Sequence, residues 1–237
     1  MTNEDVFRYR DIGLDCGVVG RAPYERLIKP QLFDPDWLGD QAVSVGAGGR
    51  GSAWFVKYQS QRWVLRHYRR GGFVARFNRD LYFYTGEQGT RSVHEFSLLK
   101  QMMGCGLPVP PPVAAFYKKV GRLWYRAAII VEELQDSRTF ADYLGEDDFP
   151  LWAEVGRTIA RFHEAGVEHA DLNCHNILIT PSGPHLIDFD KGKVHSSSPA
   201  DASWKQSNLS RLQRSIEKLS VLNIQRWEAL LEGYRRG

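Results

Sequence analysis

Side chains able to bind a metal ion or move a proton crowd into one short stretch in the second half of the chain. They are His169, Asp171, Asn176, Asp188 and Asp190. Mg²⁺ that is bound to phosphates takes carboxylate and amide oxygens as ligands and keeps several of its waters. The stretch therefore contains the residue types of a site for a phosphate-bound Mg²⁺.

Two short apolar runs, at 177–179 and 186–187, lie between the first three of these residues and the last two. Pro181, Gly183 and Pro184 separate the runs, and this predicts a hairpin because Pro and Gly set a turn. The polar residues would then lie at the open ends of the hairpin. Three or four oxygen ligands would share one small volume.

The spacing resembles the catalytic core of protein-kinase-like proteins, in which H-x-D-x-x-x-x-N precedes a D-F-G run. His169, Asp171 and Asn176 match the first pattern, and the D-F-D run that begins at Asp188 matches the second except at its last position. The resemblance implies that Asp171 accepts or orients the proton of an acceptor hydroxyl. It implies that Asn176 and Asp188 hold Mg²⁺. His169 joins Asp171 in the catalytic machinery, where it braces the loop rather than moving protons.

One cation of this pattern is missing, because Asn173 stands where many protein kinases have a catalytic-loop Lys two residues after the base. Positive charge for the transferring group must then come from elsewhere. Lys191, Lys193 and His175 are the candidates. Asp190, in place of the Gly of D-F-G, would assist the metal or fix the turn.

A second motif, G-x-G-x-x-G, contains Gly46, Gly48 and Gly51 and lies between two strand-like runs. Because a strand follows it rather than a helix, it fits a kinase-type lid over nucleotide phosphates and not a Rossmann turn. Glycines let backbone amides approach phosphate oxygens without a side chain in the way.

Three further residues are predicted to bind ATP. Arg66, on a strand predicted over 62–68, occupies the position of the kinase Lys, and its planar guanidinium also pairs with phosphate. Glu95, beside the apolar face of a helix predicted over 91–103, would hold Arg66 toward the phosphates. Glu133 lies in the expected hinge, where backbone groups would bind adenine.

The whole chain of 237 residues is 43% hydrophobic and 12% aromatic, which is typical of a folded globular protein. The motifs predict an α+β, bilobal protein-kinase-like fold with a small β-rich N-lobe and a mainly helical C-lobe. The expected parts are an N-terminal extension with short helices over 1–40, a nucleotide-binding N-lobe over 41–134, and a catalytic and acceptor-binding C-lobe over 135–237. Helices are predicted over 150–165, 203–220 and 223–235.

Composition also bears on location and partners. No apolar run approaches the roughly 18 residues of a membrane span, and the polar N-terminus lacks a signal-peptide core. Three cysteines without C-x-x-C spacing favour free thiols in a reducing compartment. A basic window favours anionic partners, whereas no nucleic-acid-binding module is recognisable. The window contains Arg62, Arg66, Arg69, Arg70, Arg76 and Arg79.

The R-H-Y-R-R-G-G run that begins at Arg66, taken with HADLNCHNIL and IDFD, resembles the 3-deoxy-D-manno-octulosonic acid kinase (Kdo kinase) family. The resemblance extends from about Gly46 to the last helix. It implies transfer of the γ-phosphate of ATP, with Mg²⁺, to the 4-hydroxyl of a Kdo sugar on a lipid A precursor in lipopolysaccharide inner-core biosynthesis. It also implies a peripheral protein on the cytoplasmic side of the bacterial inner membrane.

Several alternatives remain open. A heptose kinase or an aminoglycoside-type phosphotransferase would share the motifs and change the acceptor. Arg66 and Asn173 make a non-catalytic nucleotide-binding regulator conceivable. A protein kinase is disfavoured because no A-P-E-like anchor follows Asp190. A 2-His-1-carboxylate iron site also begins with H-x-D, but that site needs a distal His on a β-jelly-roll, and a helical pattern surrounds the motif here. Each polar residue taken alone could simply cap a turn.

Overall fold

The structure is a computed structural model, and it describes residues 5–45 except 12 and 14, then 53–69, 80–197, 199, 202–219 and 223–237. The chain divides into two compact units. Unit 1 comprises residues 1–100 and 111–133, and unit 2 comprises residues 101–110 and 134–237. The chain thus enters unit 2 briefly after residue 100 and finally after Glu133.

Unit 1 is built on an antiparallel sheet. Within the described part of the chain its eight strands are β1 (Val6–Asp11), β2 (Cys16–Arg21), β3 (Ala42–Ser44), β4 (Ala53–Tyr58), β5 (Gln61–His67), β6 (Tyr82–Phe83), β7 (Pro112–Val120) and β8 (Trp124–Glu132). The hydrogen-bonded order is β1-β2-β7-β8-β5-β4-β3, and β6 pairs with β8 in addition. Every pairing is antiparallel.

A short irregular segment covers one face of this sheet. Residues 22–41 contain 3₁₀ turns and the one-turn helix α1 (Pro35–Leu38). Leu32, Phe33 and Leu38 of this segment are fully buried against Trp63 and other strand residues. Removal of these side chains from water stabilises unit 1, at about 25 cal/mol for each Å² of apolar surface buried.

Helix α2 (Arg91–Gly104) follows the 3.6-residue period that the sequence predicts. Val93, Phe96, Leu99 and Met102 are buried, and so is Glu95. The first turn is tied to the sheet, because the backbone N–H of Arg91 donates to the Tyr125 hydroxyl at 3.0 Å. This attachment fixes the rotation of α2 and hence the position of Glu95.

Unit 2 contains helices α3 (Phe149–Glu164), α4 (Ser203–Glu217) and α5 (Ile224–Arg236). Asp148 caps α3 by accepting the backbone N–H of Leu151 at 3.0 Å. Helices α3 and α5 approach closely at two glycines. A Cβ at Gly156 would lie 2.0 Å from the Leu230 carbonyl oxygen, and a Cβ at Gly233 would lie 1.9 Å from that of Ala153. Only glycine permits this contact.

Two small antiparallel sheets complete unit 2. Their strands are β9 (Arg138–Thr139), β10 (Val167–Glu168), β11 (Ile177–Thr180), β12 (Gly183–Leu186) and β13 (Lys193–Val194). Strand β11 lies between β9 and β12, and β10 pairs with β13. The predicted hairpin between the two groups of polar residues is therefore confirmed as β11 and β12.

The interpretation of residues 1–40 as an extension with short helices is wrong for their first half. β1 and β2 are strands of the unit 1 sheet, and β2 pairs with β7. Strand β2 was not predicted from the sequence because its glycines are typical of loops rather than of strands. A Cβ at Gly17 would lie 2.5 Å from the Tyr117 ring, so glycine is required to make room for the aromatic side chain. The division between the predicted N-lobe and C-lobe differs as well, because residues 101–110, predicted in the N-lobe, group with unit 2.

Among the described residues, no helix is both long enough and apolar enough to span a bilayer.

Candidate active site

The β11–β12 hairpin brings two of the predicted metal ligands to one end. Ile177 pairs with Leu186, and the N–H of Ile187 donates to the carbonyl oxygen of Asn176 at 3.0 Å. Asp188 follows directly, with a φ of 62°. This left-handed conformation is uncommon outside glycine, although Asp tolerates it better than most residues. The register therefore places Asn176 and Asp188 beside each other at the open end of the hairpin.

Asn176 is oriented by the chain just before it. Its Nδ2 donates to the carbonyl oxygen of Asp171 at 2.9 Å. Because the amide nitrogen is used in this way, the Oδ1 atom is the end of the side chain presented to a ligand. The hydrogen bond also ties Asp171 to the open end of the hairpin.

Asn173 holds the loop between Asp171 and Asn176 in shape. Its Oδ1 accepts the backbone N–H groups of His175 at 2.9 Å and Asn176 at 3.2 Å, which caps the 3₁₀ turn Cys174–Asn176. Its Nδ2 donates to the carbonyl oxygen of Asp171 at 3.0 Å and to Oδ2 at 3.3 Å. The residue that replaces the kinase Lys therefore orients the Asp171 carboxylate instead of supplying charge.

His169 lies buried beneath this loop, in contact with the Phe189 ring at a centroid distance of 4.6 Å. Its Nδ1 accepts the backbone N–H of Asp171 at 3.1 Å, so its Nε2 carries the proton that bonds the Ile187 carbonyl oxygen at 2.9 Å. Burial lowers the pKa of His169, which keeps the ring neutral. These contacts link both halves of the site and support the predicted bracing role.

The buried side of the loop depends on Asn208 of α4, which the sequence analysis did not single out. Its Oδ1 accepts the backbone N–H of His169 at 3.1 Å, and its Nδ2 donates to the carbonyl oxygen of the same residue at 2.9 Å. His163 contacts the same Oδ1 through Nε2 at 3.3 Å and the Tyr234 hydroxyl through Nδ1 at 2.8 Å. Burial lowers the pKa of His163 to about 4.

Asp171 itself is exposed, in contrast to the residues that hold it. Nη1 of Arg211, on α4, lies 3.8 Å from Oδ1 of Asp171. Arg211 was not among the predicted sources of positive charge, because nothing in the sequence indicates that a helix some forty residues downstream reaches the loop.

The three residues predicted to supply positive charge lie at different places. His175 is exposed next to this loop, Lys193 lies in β13, and Lys191 has a φ of 64° in the turn after Asp190.

The donor set fits Mg²⁺. Asn176 offers an amide oxygen and Asp188 a carboxylate, which are hard oxygen ligands. No cluster of three or more His, Cys, Asp and Glu side chains suited to a metal occurs in the described part of the chain. Mg²⁺ in a phosphoryl-transfer site does not need one, because phosphate oxygens and waters supply the remaining ligands.

In unit 1 the predicted pairing of Arg66 with Glu95 is present. Nη2 of Arg66 lies 2.6 Å from Oε2 of Glu95, and the Tyr68 hydroxyl donates to the same carboxylate. The Arg66 guanidinium also stacks over the Tyr68 ring at 5.0 Å. Glu95 is buried, so the pair is anchored from the helix side. That Arg66 and Glu95 serve nucleotide binding stays a prediction.

The other residues predicted to bind the nucleotide are Glu133 and three glycines. Glu133 lies at the end of unit 1, where its carboxylate forms a two-pronged ion pair with Arg62 at 2.9 Å. Its backbone N–H donates to the Arg62 carbonyl oxygen at 3.1 Å. That backbone groups here bind adenine stays a prediction. Gly46, Gly48 and Gly51 lie outside the described residues.

The chain is similar to known proteins over most of its length. The sequence model of the lipopolysaccharide kinase (Kdo/WaaP) family matches residues 35–234. Proteins named 3-deoxy-D-manno-octulosonic acid kinase are similar over most of their length. The protein of Xylella fastidiosa strain M12 is 47% identical over 196 residues, covering 82% of this chain and 77% of its own. That of Stenotrophomonas maltophilia strain R551-3 is 47% identical over 207 residues, covering 85% and 82%.

A solved structure supports the fold. The structure described as WaaP in complex with acyl carrier protein is 17% identical, with a TM-score of 0.61, and covers 93% of this chain and 89% of that one. At this identity the likeness concerns the fold alone. The predicted α+β, protein-kinase-like fold is confirmed, with a β-rich first unit and a mainly helical second unit. Because the family model matches residues 35–234 and the named relatives are 47% identical, the chain belongs to the lipopolysaccharide kinase (Kdo/WaaP) family.

Proposed function

We propose that this protein is an ATP-dependent kinase that transfers the γ-phosphate to the 4-hydroxyl of a Kdo sugar on a lipid A precursor, in lipopolysaccharide inner-core biosynthesis. The observation that carries the proposal is the identity of 47% with proteins named Kdo kinase over more than four fifths of the chain. The local arrangement of Asp171, Asn176 and Asp188 supplies the residues that such a reaction requires.

In this reaction the carboxylate of Asp171 accepts the proton of the attacking sugar hydroxyl. The carboxylate is oriented by the side chain of Asn173, and its backbone N–H is held by His169. His169 acts as a positioning residue, because its ring is buried and both of its nitrogens are engaged within the loop.

Asn176 and Asp188 would hold Mg²⁺. The ion supplies charge neutralisation at the phosphates. Arg66, fixed by Glu95, pairs with phosphate oxygens of ATP through its planar guanidinium. The glycine run that includes Gly46, Gly48 and Gly51 would cover the same phosphates, and backbone groups near Glu133 would bind adenine.

We further propose that the protein works at the cytoplasmic side of the inner membrane. Basic residues near anionic lipid contribute roughly 1 kcal/mol each. Arg62 and Arg66 of the basic window are paired with Glu133 and Glu95, so they contribute little to such attraction. Other residues of the window and Arg235, near the C-terminus, are the remaining candidates.

The function is tested by incubating the purified protein with γ-labelled ATP, Mg²⁺ and a panel of acceptors. The panel contains a Kdo-bearing lipid A precursor, a heptosyl lipid, an aminoglycoside and a protein. We expect label on the Kdo lipid alone, with the phosphate at the 4-hydroxyl by NMR of the product. Label on the heptosyl lipid or on the aminoglycoside instead would identify that compound as the acceptor and refute the assignment to Kdo. ATP binding without label on any acceptor would support the non-catalytic regulator.

A further inference from the structure

A basic concavity lies directly beside the proposed catalytic base, entirely within unit 2. It has a volume of about 420 Å³ and borders Asp171. Its basic side chains come from the catalytic loop and from α4 with its C-cap, in the residues His175, Arg211, Arg214 and Lys218. Among the described residues that line it, Asp171 is the one carboxylate. The positive charges of Arg211, Arg214 and Lys218 outnumber the negative charge of Asp171 in this lining, so the concavity attracts anions.

The cations are arranged by the helix period. Arg211 and Arg214 lie on α4, and Lys218 is its C-cap in a helical backbone conformation. Their spacing of three and four residues puts the three side chains on one face. The acidic residue of this helix, Glu217, lies off this row and instead accepts a hydrogen bond from Gln213 at 3.1 Å. The basic row extends for about 10 Å along the helix, given a rise of about 1.5 Å per residue.

This face of α4 is held against the catalytic loop by fixed contacts. The backbone N–H of Cys174 donates to the Ser215 hydroxyl at 3.0 Å, and that hydroxyl donates to the Leu212 carbonyl oxygen at 2.7 Å. On the buried side, Asn208 bonds both backbone groups of His169. The basic row therefore has a defined position relative to Asp171, unlike a charged surface that is merely solvated.

The contact between Arg211 and Asp171 is loose. Their separation of 3.8 Å is too long for a hydrogen bond. Both side chains are exposed. A hydroxyl that bonds Asp171 would thus lie next to a guanidinium able to grip a neighbouring carboxylate with two parallel hydrogen bonds.

We propose that the basic face of α4 is the subsite for the acceptor's anionic group, and that Arg211 binds the carboxylate of the sugar acid whose hydroxyl is phosphorylated. Arg214 and Lys218 extend the positive field along the rest of the acceptor. The inference rests on the proposed function, because it assigns the acid group of a Kdo-type acceptor to this concavity. It also gives a reason for a sugar acid to be preferred over a neutral sugar.

The test compares two acceptors, a Kdo glycoside and its carboxamide, which lacks the negative charge. For Arg211→Ala we expect the KM of the acid acceptor to rise about tenfold to a hundredfold, the usual effect of losing a hydrogen bond to a charged group. The KM of ATP stays within about twofold. The wild-type protein should show a similar rise on the carboxamide, to which Arg211→Ala adds nothing further, because the same interaction cannot be lost twice.

Matched variants separate this role from others. Arg211→Lys keeps the charge without the planar fork and should recover part of the affinity for the acid acceptor. Arg214→Ala should raise the same KM by a smaller factor. Arg157→Ala removes one exposed positive charge from α3, outside the concavity, and should behave as the wild-type protein does. An equal fall in kcat on both acceptors with unchanged KM would overturn the proposal, since it would place Arg211 at the transferring phosphoryl group.

A binding measurement keeps the inference independent of turnover. Titration of free Kdo by calorimetry should give weaker binding to Arg211→Ala than to the wild-type protein and to Arg157→Ala. Equal binding to all three proteins would overturn the subsite. If binding depends on Arg211 while no label reaches any Kdo acceptor, the subsite stands and the proposed kinase activity fails.

Discussion

An arginine lies next to a carboxylate at a proposed functional position in each unit. The two pairs differ in burial, in separation and in hydrogen bonding. In unit 1, Glu95 and Arg66 have side chains 2% and 21% exposed, and a tyrosine hydroxyl shares the carboxylate. In unit 2, the side chains of Asp171 and Arg211 are 68% and 45% exposed and 3.8 Å apart. A buried, hydrogen-bonded pair holds a fixed geometry, whereas an exposed and loose pair contributes little to stability. The first pair is suited to positioning a side chain, and the second leaves room for a substrate.

The largest expected effect separates activity from stability at the exposed pair. Asp171→Asn removes the base without changing the shape of the side chain, so we expect transfer to the Kdo acceptor to fall by about a thousandfold. The free energy of unfolding should change by less than about 0.5 kcal/mol, as for other exposed positions. Transfer assays and urea denaturation measure the two quantities. Near-normal turnover would refute the role of Asp171.

At the buried pair of unit 1, we expect a substitution to lower the free energy of unfolding. Glu95→Ala leaves the Arg66 guanidinium without its buried partner, which should lower the free energy of unfolding by about 3 kcal/mol. Glu25→Ala, at an exposed position in the same unit, is the matched control and should cost less than about 0.5 kcal/mol. Denaturation of both variants provides the comparison. A loss below about 1 kcal/mol for Glu95→Ala would mean that the pair is no more fixed than the exposed one.

Acid should weaken the buried support beneath the exposed pair. Burial lowers the pKa of His163 to about 4, below its usual value of about 6.5, so between these pH values the unfolded chain binds the proton and the folded one does not. Stability is therefore fully present above pH 6.5 and is lost as the pH falls toward 4. The loss from this residue is about 3 kcal/mol. Burial lowers the pKa of His169 and His67 as well, which acts in the same direction.

Thermal unfolding at a series of pH values measures this effect. His163→Gln should be less stable than the wild-type protein at pH 7.5 and should lose less on acidification. A parallel pH dependence in both proteins would show that His163 is not the group that resists protonation.

The smallest expected effect sharpens the description of the buried pair. Tyr68→Phe removes one hydrogen bond to the Glu95 carboxylate and keeps the ring on which Arg66 stacks. We expect a loss of about 1 kcal/mol in the free energy of unfolding, with a small rise in the KM of ATP. A change larger than that of Glu95→Ala would show that the hydroxyl, and not the ion pair, anchors Arg66.

The difference between the two pairs also explains what could be predicted from the sequence. The period of the sequence predicts the strand and the helix that contain Arg66 and Glu95, and their pairing follows from the resemblance to the kinase pattern. The β11–β12 hairpin follows from its turn residues. Arg211 could not be predicted, because it approaches the loop only through the packing of α4, which depends on Asn208 and Ser215. Strand β2 was missed for a related reason, since Gly17 looks like a loop residue until the Tyr117 ring is seen against it.

The central claim is that Asn176 and Asp188 hold the ATP-bound metal ion beside Asp171. The most direct measurement is the binding of Mn²⁺ in the presence of ATP, followed by electron paramagnetic resonance, because Mn²⁺ accepts the same oxygen ligands as Mg²⁺. Asp188→Asn and Asn176→Ala should each weaken this binding at least about tenfold. Asp147→Asn, at an exposed carboxylate paired with Arg226, should leave it unchanged. Equal Mn²⁺ affinity in the wild-type protein and in Asp188→Asn would contradict the assignment of the site.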